Sequence, residues 1–187
     1  MIEVRHMTSG DTATYEAPRA NPRPDQMPDP RPDLKPDPRP DPRVEVRPIT
    51  PDDAHTWREL WDAYLRFNGH VVSEEVYQTT LERFFRDDVF EPNALIAWAG
   101  DKGVGLAHYL QHRHCWEIEN VLYLQHLYVC AEARGLGVGP SLLKAIYAVA
   151  DRENLGSVYW MTAQDNMTAR KLYDEFGKVT PYIKYQR

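Results

Sequence analysis

The sequence predicts a mixed α/β (α+β) fold, in which a mostly antiparallel central sheet is flanked by helices. Two apolar runs, 94–99 and 104–112, are separated by Gly-Asp-Lys-Gly at 100–103, a combination typical of a β-hairpin. A third apolar run, 121–129, leads into a glycine-rich turn and then into apolar residues at helical spacing. A hairpin and a strand–turn–helix unit in one short chain indicate helices packed on the faces of a sheet.

The first 43 residues differ in composition from the rest of the chain. Ten of the fifteen prolines lie between Pro18 and Pro42, among repeated Asp-Pro-Arg-Pro units, and no apolar periodicity accompanies them. Such a segment buries too little apolar surface to offset the entropy lost on ordering. We therefore expect residues 1–43 to be a disordered or polyproline-like tail and residues 44–187 to form the folded domain.

The folded domain is expected to begin with a short strand near residue 44, followed by two helices. Thr50 and Asp53 form a capping-box pattern around Pro51, which indicates the start of a helix, and Ser73 indicates the start of a second. The apolar faces of the two helices are predicted to comprise Trp57, Leu60, Trp61, Tyr64 and Leu65, and then Val76, Thr80, Leu81 and Phe84.

The remaining elements follow the hairpin. Residues 121–129 predict a third strand beside it, and residues 142–150 carry the apolar spacing of a helix. A further strand is predicted at 157–162, a short helix at 166–175 and a last strand at 179–185. The predicted order is therefore strand, two helices, three strands, helix, strand, helix, strand.

Composition and charge argue against several classes of protein. The formal charge of -6 argues against general nucleic-acid binding and is compatible with a cationic substrate. No apolar run is long enough to span a membrane, and the N-terminus lacks the apolar core of a signal peptide. Cys115 and Cys130 are the two cysteines, and no metal-ligand spacing is present, so we expect a cytoplasmic protein with reduced thiols and no metal site.

The glycine-rich turn, residues 134–139, reads Arg-Gly-Leu-Gly-Val-Gly. Glycine permits positive φ and close approach of a ligand, and the first turn of the following helix has N–H groups without intrahelical partners. These amides and the helix dipole favour a phosphate or pyrophosphate. The spacing fits neither a dinucleotide motif nor a Walker loop, so the turn alone is equally compatible with a tight strand-to-helix connection.

Two motifs resemble the signatures of the GNAT superfamily of acetyl-coenzyme A-dependent N-acetyltransferases. The turn matches the coenzyme-binding signature Arg/Gln-x-x-Gly-x-Gly/Ala, and residues 166–173 match the later signature Asn-x-x-Ala-x-x-Leu-Tyr. The resemblance covers residues 44–187 and implies acetyl-CoA as the co-substrate. The matching positions are Arg134, Gly137, Gly139, Asn166, Ala169, Leu172 and Tyr173.

The strand before the turn resembles more particularly that of spermidine/spermine and related small-amine acetyltransferases, which carry Tyr-Leu-Glu-Asp-Leu/Ile-Tyr-Val. Here residues 123–129 read Tyr-Leu-Gln-His-Leu-Tyr-Val, so Gln125 and His126 replace both acidic residues. Gln125 can orient a water or a carbonyl, whereas His126 can accept a proton. Both can face one pocket only if the strand contains a bulge, which the resemblance implies. His126 is equally compatible with a hydrogen-bonded sheet histidine.

The resemblance also implies how the coenzyme is held and how its thiolate leaves. Tyr173 is implied as the general acid, because a phenol is protonated at neutral pH; packing on the core is the alternative. Pro140 removes one amide from the first helical turn, but the remaining amides are expected to suffice. The implied coenzyme-binding residues are Leu127, Tyr128, Val129, Arg134, Gly135, Leu136, Gly137, Val138, Gly139, Asn166 and Tyr173.

The group that deprotonates the amine stays open at the level of sequence. His126 is one candidate, and a water oriented by Gln125 is another. Glu117 and Glu119 in the preceding loop are further candidates for the base. Besides Glu117, we expect Tyr64 and Asn68, at the exposed end of the first long helix, to contact the substrate.

The resemblance implies transfer of acetyl to a primary amine of a small cationic molecule. Because both acidic residues are replaced, a polyamine is a less favoured substrate. An amino-sugar antibiotic, such as an aminoglycoside, and an amino acid stay open as alternative substrates. Acetylation of protein lysines or N-termini is the alternative, and a non-catalytic CoA-binding module is a weaker one. We expect a homodimer that binds neither nucleic acid nor membrane.

Overall fold

A five-stranded sheet lies at the centre of the structure, a computed structural model that describes residues 44–187. The predicted tail, residues 1–43, lies outside the described residues. The strands are β1 (Val44–Pro48), β2 (Asn93–Ala99), β3 (Lys102–Arg113), β4 (Asn120–Val129) and β5 (Ser157–Trp160). They lie side by side in chain order, and every neighbouring pair is antiparallel except β4 and β5, which are parallel.

Helices cover both faces of this sheet, as the sequence predicted. They are α1 (Ala54–Phe67), α2 (Glu74–Arg83), α3 (Val138–Arg152) and α4 (Met167–Phe176). On one face α1 and α2 bury Trp57, Leu60 and Tyr77 against the sheet, and on the other α3 buries Leu142 and Ile146. The mixed α/β fold is therefore confirmed. Among the described residues, no helix combines the length and apolarity needed to cross a bilayer.

The predicted start of α1 is present and is tied to β1. The carboxylate of Asp53 accepts hydrogen bonds from the Thr50 backbone N–H at 2.8 Å and from its hydroxyl at 2.7 Å. The Arg47 guanidinium donates to both carboxylate oxygens at 2.7 and 2.9 Å, and these bonds hold the pKa of Asp53 well below its usual range. A short 3₁₀ turn, Pro51–Asp53, connects this cap to α1.

A β-bulge at Gln125 decides which face of the sheet each residue of β4 meets. His126 pairs with His108 on β3, but the next pair is Leu124 with Tyr109, so Gln125 is the extra residue. Leu124 packs in the core beneath α3, whereas His126 contacts the side chains of α1. Without the bulge, the period of two would place both on the α3 face. The bulge expected in this strand is confirmed.

The predicted last strand, 179–185, is wrong. Residues 177–187 form no helix or strand, and the strand predicted at 157–162 ends at Trp160. The composition of this segment suits a strand, but Pro181 has no N–H for a ladder and interrupts the run. A strand also needs a partner, and no described strand lies beyond β5 in the sheet.

Candidate active site

The bulge brings His126 into a group of aromatic side chains beneath α1, which we call the His126 cluster: Trp61, Tyr64, His126 and Tyr128. The His126 ring centroid lies 4.7 Å from that of Trp61 and 5.0 Å from that of Tyr64. Tyr64 stacks on Trp61 at 5.0 Å and meets Tyr128 edge-on at 6.2 Å. The cluster therefore brings predicted catalytic, coenzyme-binding and substrate-binding residues together in aromatic surroundings.

A chain of hydrogen bonds runs from His126 into the core. Its Nδ1 lies 3.3 Å from Nδ1 of His108, its partner on β3. The Nε2 of His108 accepts a hydrogen bond of 2.8 Å from the indole Nε1–H of Trp57. Only 1% of the Trp57 surface and 3% of the His108 surface are exposed, so this chain is shielded from solvent.

Burial controls the titration of both histidines, because it penalises the charged form. It lowers the pKa of His126 to about 4. Burial, with a smaller contribution from His126, also holds the pKa of His108 well below its ordinary value. Both rings are therefore neutral at pH 7 and become protonated only in acid. At neutral pH His126 is a weak base toward an ammonium group.

Tyr173 lies on α4, with its ring centroid 5.5 Å from that of Trp160. Burial raises the pKa of Tyr173, and the nearby Tyr64 phenol raises it further. Its phenol thus stays protonated at neutral pH, as a proton donor requires. The adjacent Leu172 covers Gly139, where an added Cβ would lie 2.9 Å from Leu172 Cδ2. Tyr173 is therefore held on a helix that packs directly on the glycine-rich turn.

Asn166 caps the helix that carries Tyr173. Its Oδ1 accepts a hydrogen bond of 3.2 Å from the backbone N–H of Ala169, and its Nδ2 lies 3.4 Å from Thr162 Oγ1. Asparagine is among the favoured residues for this position. The geometry accounts for Asn166 as an anchor of α4, and contact with the coenzyme stays a prediction.

The glycine-rich turn, residues 134–139, has the geometry of a phosphate site at a helix N-terminus. Gly135 and Gly137 adopt φ of +78° and +79°, and Gly137 is the N-cap of α3. The first-turn N–H groups of Val138 and Gly139 are available to an anion, and Pro140 contributes none. These backbone N–H donors suit the pyrophosphate of coenzyme A.

Next to this turn, the sheet opens along β4. The pairing of β4 with β5 ends at Leu124 and Trp160, whereas the pairing with β3 continues to Val129. Within the described residues, positions 125–129 therefore have a strand partner on one side only. Their open backbone groups can bond the amides of a pantetheine arm. The predicted coenzyme contacts of Leu127, Tyr128 and Val129 suit this open edge.

Arg134 ties the turn both to β4 and to the end of α1. Arg134 Nε donates a hydrogen bond of 3.3 Å to the Val129 carbonyl, and its guanidinium lies 5.4 Å from the Phe67 ring centroid. Asn68 ends α1, and its side-chain amide donates a hydrogen bond of 2.8 Å to the Tyr64 carbonyl. Tyr64 and Asn68 therefore lie at the end of α1 that faces the turn, consistent with their predicted role.

The structure does not bring Glu117 or Glu119 to this site. The Glu117 carboxylate packs against Gly156, and Glu119 lies beside the same glycine, where β4 and β5 begin. The strand from Asn120 to His126 spans roughly 20 Å, so these two carboxylates lie at the wrong end of it. Their proposed role as the base, and the substrate contact expected of Glu117, are not supported by this placement.

Sequence reasoning missed His108 and Trp57. His108 was part of an apolar strand, and Trp57 was one of several apolar residues on a helix face. The one available signal was a histidine within the run 104–112, which otherwise predicts a buried strand. Their partnership with His126 depends on the register between β3 and β4 and on the packing of α1.

A parallel strand pair that separates, a helix N-terminus rich in glycine and a half-buried tyrosine on the next helix together indicate a CoA-dependent acyltransferase. The model of the acetyltransferase (GNAT) family matches residues 55–177. The chain belongs to this family and is an acetyl-CoA-dependent N-acetyltransferase.

Among characterised proteins, the chain is 36% identical over 146 residues to the D-amino-acid N-acetyltransferase HPA3 of Saccharomyces cerevisiae, covering 77% of this chain and 90% of that protein. Among solved structures, it is similar to a ribosomal-protein-alanine N-acetyltransferase from Brucella melitensis (TM-score 0.65, 18% identity, 77% of this chain and 97% of the other). It is also similar to the aminoglycoside acetyltransferase AAC(6')-Iy in complex with a CoA-containing bisubstrate analog (TM-score 0.64, 18% identity, 77% and 97%). At such identities the two structures show the fold alone.

Proposed function

We propose that this enzyme acetylates the α-amino group of a free amino acid. The observation that carries the proposal is the uncharged surroundings of His126. In the part of the chain that the structure describes, the rings that contact it belong to Trp61, Tyr64 and His108, and burial alone, with no contribution from a carboxylate, accounts for its lowered pKa. Gln125 and His126 also stand where the related polyamine enzymes carry acidic residues.

The charge of the substrate distinguishes the candidates. Polyamines and aminoglycosides carry several ammonium groups, and burying them without a carboxylate partner is unfavourable. An amino acid carries one ammonium and one carboxylate. Its carboxylate suits neutral hydrogen-bond donors, here the Gln125 amide and a ring N–H of His126. The replacements at 125 and 126 therefore favour an amino acid over a polycation.

The comparisons support the same substrate class. The relative that shares 36% of residues over most of both chains is named for D-amino acids. The aminoglycoside enzyme shares 18% of residues and supports only the fold. We accordingly place amino acids, including D-amino acids, ahead of polyamines and amino sugars.

The proposed mechanism assigns one task to each group. Bound acetyl-CoA supplies the acetyl thioester. A water oriented by Gln125 takes the proton from the substrate ammonium, because an amide cannot accept it and His126 is a weak base. The neutral amine attacks the carbonyl carbon, the carbon–sulfur bond breaks, and the nitrogen releases its second proton to solvent through the same water. Tyr173 donates its phenolic proton to the departing sulfur and regains a proton from solvent.

The test is a panel of amines assayed at saturating acetyl-CoA. We expect free amino acids of D or L configuration to give the highest kcat/KM. Each is compared with its carboxamide, which keeps the amine and lacks the carboxylate. Loss of a charged hydrogen bond corresponds to about 1.5–3 kcal/mol, so kcat/KM for the amide is expected to fall by ~10–100-fold.

Three outcomes of this panel would contradict the proposal. One is a higher kcat/KM for spermidine or an aminoglycoside than for any amino acid. Another is a preference for lysine-containing or N-terminal peptides, which would favour protein acetylation. The third is equal kcat/KM for an amino acid and its carboxamide, which would show that the enzyme does not recognise the carboxylate.

We also propose that the enzyme is a homodimer. β5 is an edge strand of the described sheet, and unpaired strand edges favour pairing with another chain. The segment after α4 exposes large apolar side chains, namely Val179, Tyr182, Ile183 and Tyr185. Light scattering is expected to give twice the chain mass, and deletion of residues 179–187 is expected to give monomers. A monomeric full-length protein would contradict the proposal.

A further inference from the structure

The hydrogen-bond chain from Trp57 to His126 determines where the two histidines carry their protons. An indole nitrogen is only a donor, so the His108 Nε2 that accepts from Trp57 carries no hydrogen. A neutral imidazole has one N–H, and that of His108 is therefore on Nδ1. This N–H faces His126 Nδ1 at 3.3 Å, which must be the acceptor. The single hydrogen of neutral His126 is then on Nε2.

We propose that Trp57 and His108 are positioning residues that hold His126 in its Nε2–H tautomer, so that His126 donates a hydrogen bond to the substrate carboxylate and does not act as the base. The identity of that acceptor rests on the proposed function, whereas the tautomer does not. Within residues 44–187, His108 is the hydrogen-bond partner of the His126 ring, and it occupies Nδ1. Nε2 is the ring nitrogen left for a ligand.

The same geometry opposes a role of His126 as proton acceptor. In this tautomer Nε2 already carries a hydrogen, and a second proton can bind only at Nδ1. There it would face the N–H of His108, which cannot turn its acceptor nitrogen outward without losing its bond from Trp57. The titratable groups whose rings contact His126 are Tyr64 from α1 and His108 from β3, and Tyr128, two residues along β4, contacts Tyr64. All are neutral at pH 7, so none stabilises an imidazolium, in agreement with the lowered pKa of His126.

The direct test is nitrogen NMR of the full-length enzyme with ¹⁵N-labelled histidine, because protonated and unprotonated ring nitrogens have well-separated shifts. Loss of one signal set in His126→Gln assigns the resonances of His126. We expect Nε2 to be the protonated nitrogen of His126 and Nδ1 that of His108 at pH 7. An unprotonated Nε2 on His126 would overturn the proposal, and the protonation itself is read from the wild-type enzyme.

Two tryptophan variants separate the hydrogen bond from packing. Trp57→Phe removes the N–H that orients His108, so both histidines are expected to become mixtures of tautomers. Trp61→Phe is the matched control, because Trp61 also packs against both histidine rings. Within the described residues, its buried Nε1 has no hydrogen-bond partner. The Nε2–H tautomer should therefore persist in Trp61→Phe; mixtures in both variants, or in neither, would contradict the assignment.

Kinetics of His126 variants test the donor role. Glutamine places an amide N–H near the position of Nε2 and cannot accept a proton. We expect His126→Ala to raise KM for the amino acid by ~10-fold or more, the effect of losing a charge-assisted bond, and His126→Gln, which supplies a donor again, to recover most of that loss in KM. A rate limb near the histidine pKa that disappears in both variants would show that His126 is the base. Preference for a polyamine with the Nε2–H tautomer intact would contradict the proposed function alone.

Discussion

Replacement of Tyr173 with Phe is expected to lower kcat by ~10²-fold or more, the usual scale for loss of a general acid. Phenylalanine keeps the ring on Trp160 and removes only the phenolic hydroxyl. The dissociation constant of coenzyme A should therefore change little. The measurements are steady-state kinetics with the preferred amine and calorimetric titration of coenzyme A.

The matched control is Tyr109→Phe. Tyr109 is a more deeply buried tyrosine, which packs in the core on the α3 face of β3 and has no role in the proposed mechanism. Equal kcat values for the two variants would assign Tyr173 to packing. The pH dependence gives an independent check, because burial raises the pKa of Tyr173. The donor is present below that raised pKa, so kcat in the wild type should fall only at a pH above the ordinary range of a phenol.

Replacement of Gly137 with Val is expected to weaken coenzyme A binding by at least ~10-fold, corresponding to about 1.4 kcal/mol. Gly137 is the N-cap of α3 at φ +79°, where an L-residue with a branched side chain is strained. Relief of that strain would rotate the amides of Val138 and Gly139 away from the pyrophosphate. Calorimetry with coenzyme A measures the change.

Gly100→Val is the control for this variant. Gly100 has φ +61° and open space around its added side chain, as Gly137 has, but it lies in the turn between β2 and β3. Both variants should therefore lose comparable thermal stability, and only Gly137→Val should lose affinity. An unchanged affinity for coenzyme A would show that the glycine-rich turn only connects β4 to α3.

Most of the fold could be predicted because its signals are local. The hairpin turn at 100–103, the cap formed by Thr50 and Asp53, and the periodicity of α3 each depend on residues a few positions apart. The last strand failed for the opposite reason. Its apolar pattern was local, but a strand forms only if another strand is available to pair with it, and Pro181 weakens that pairing.

The residues of the candidate site also differ in whether the sequence carries a local signal for them. The glycine-rich turn and the helix of Asn166 and Tyr173 are continuous motifs, so both could be located from the sequence. The placement of Glu117 was not, because a base must be near its substrate in space, and Glu117 lies at the far end of an extended strand.

The sequence by itself determined most of the elements, the glycine-rich turn and the identity of the residues at 125 and 126. Only the tertiary structure decided which partners His126 meets. The bulge at Gln125 turns His126 from the α3 face to the α1 face, and the register of β3 sets His108 opposite it. α1 then brings the Trp57 indole to His108, a residue 51 positions away in sequence. A proton position depends on which nitrogen meets which partner, and those partners meet only when sheet register and helix packing are both complete.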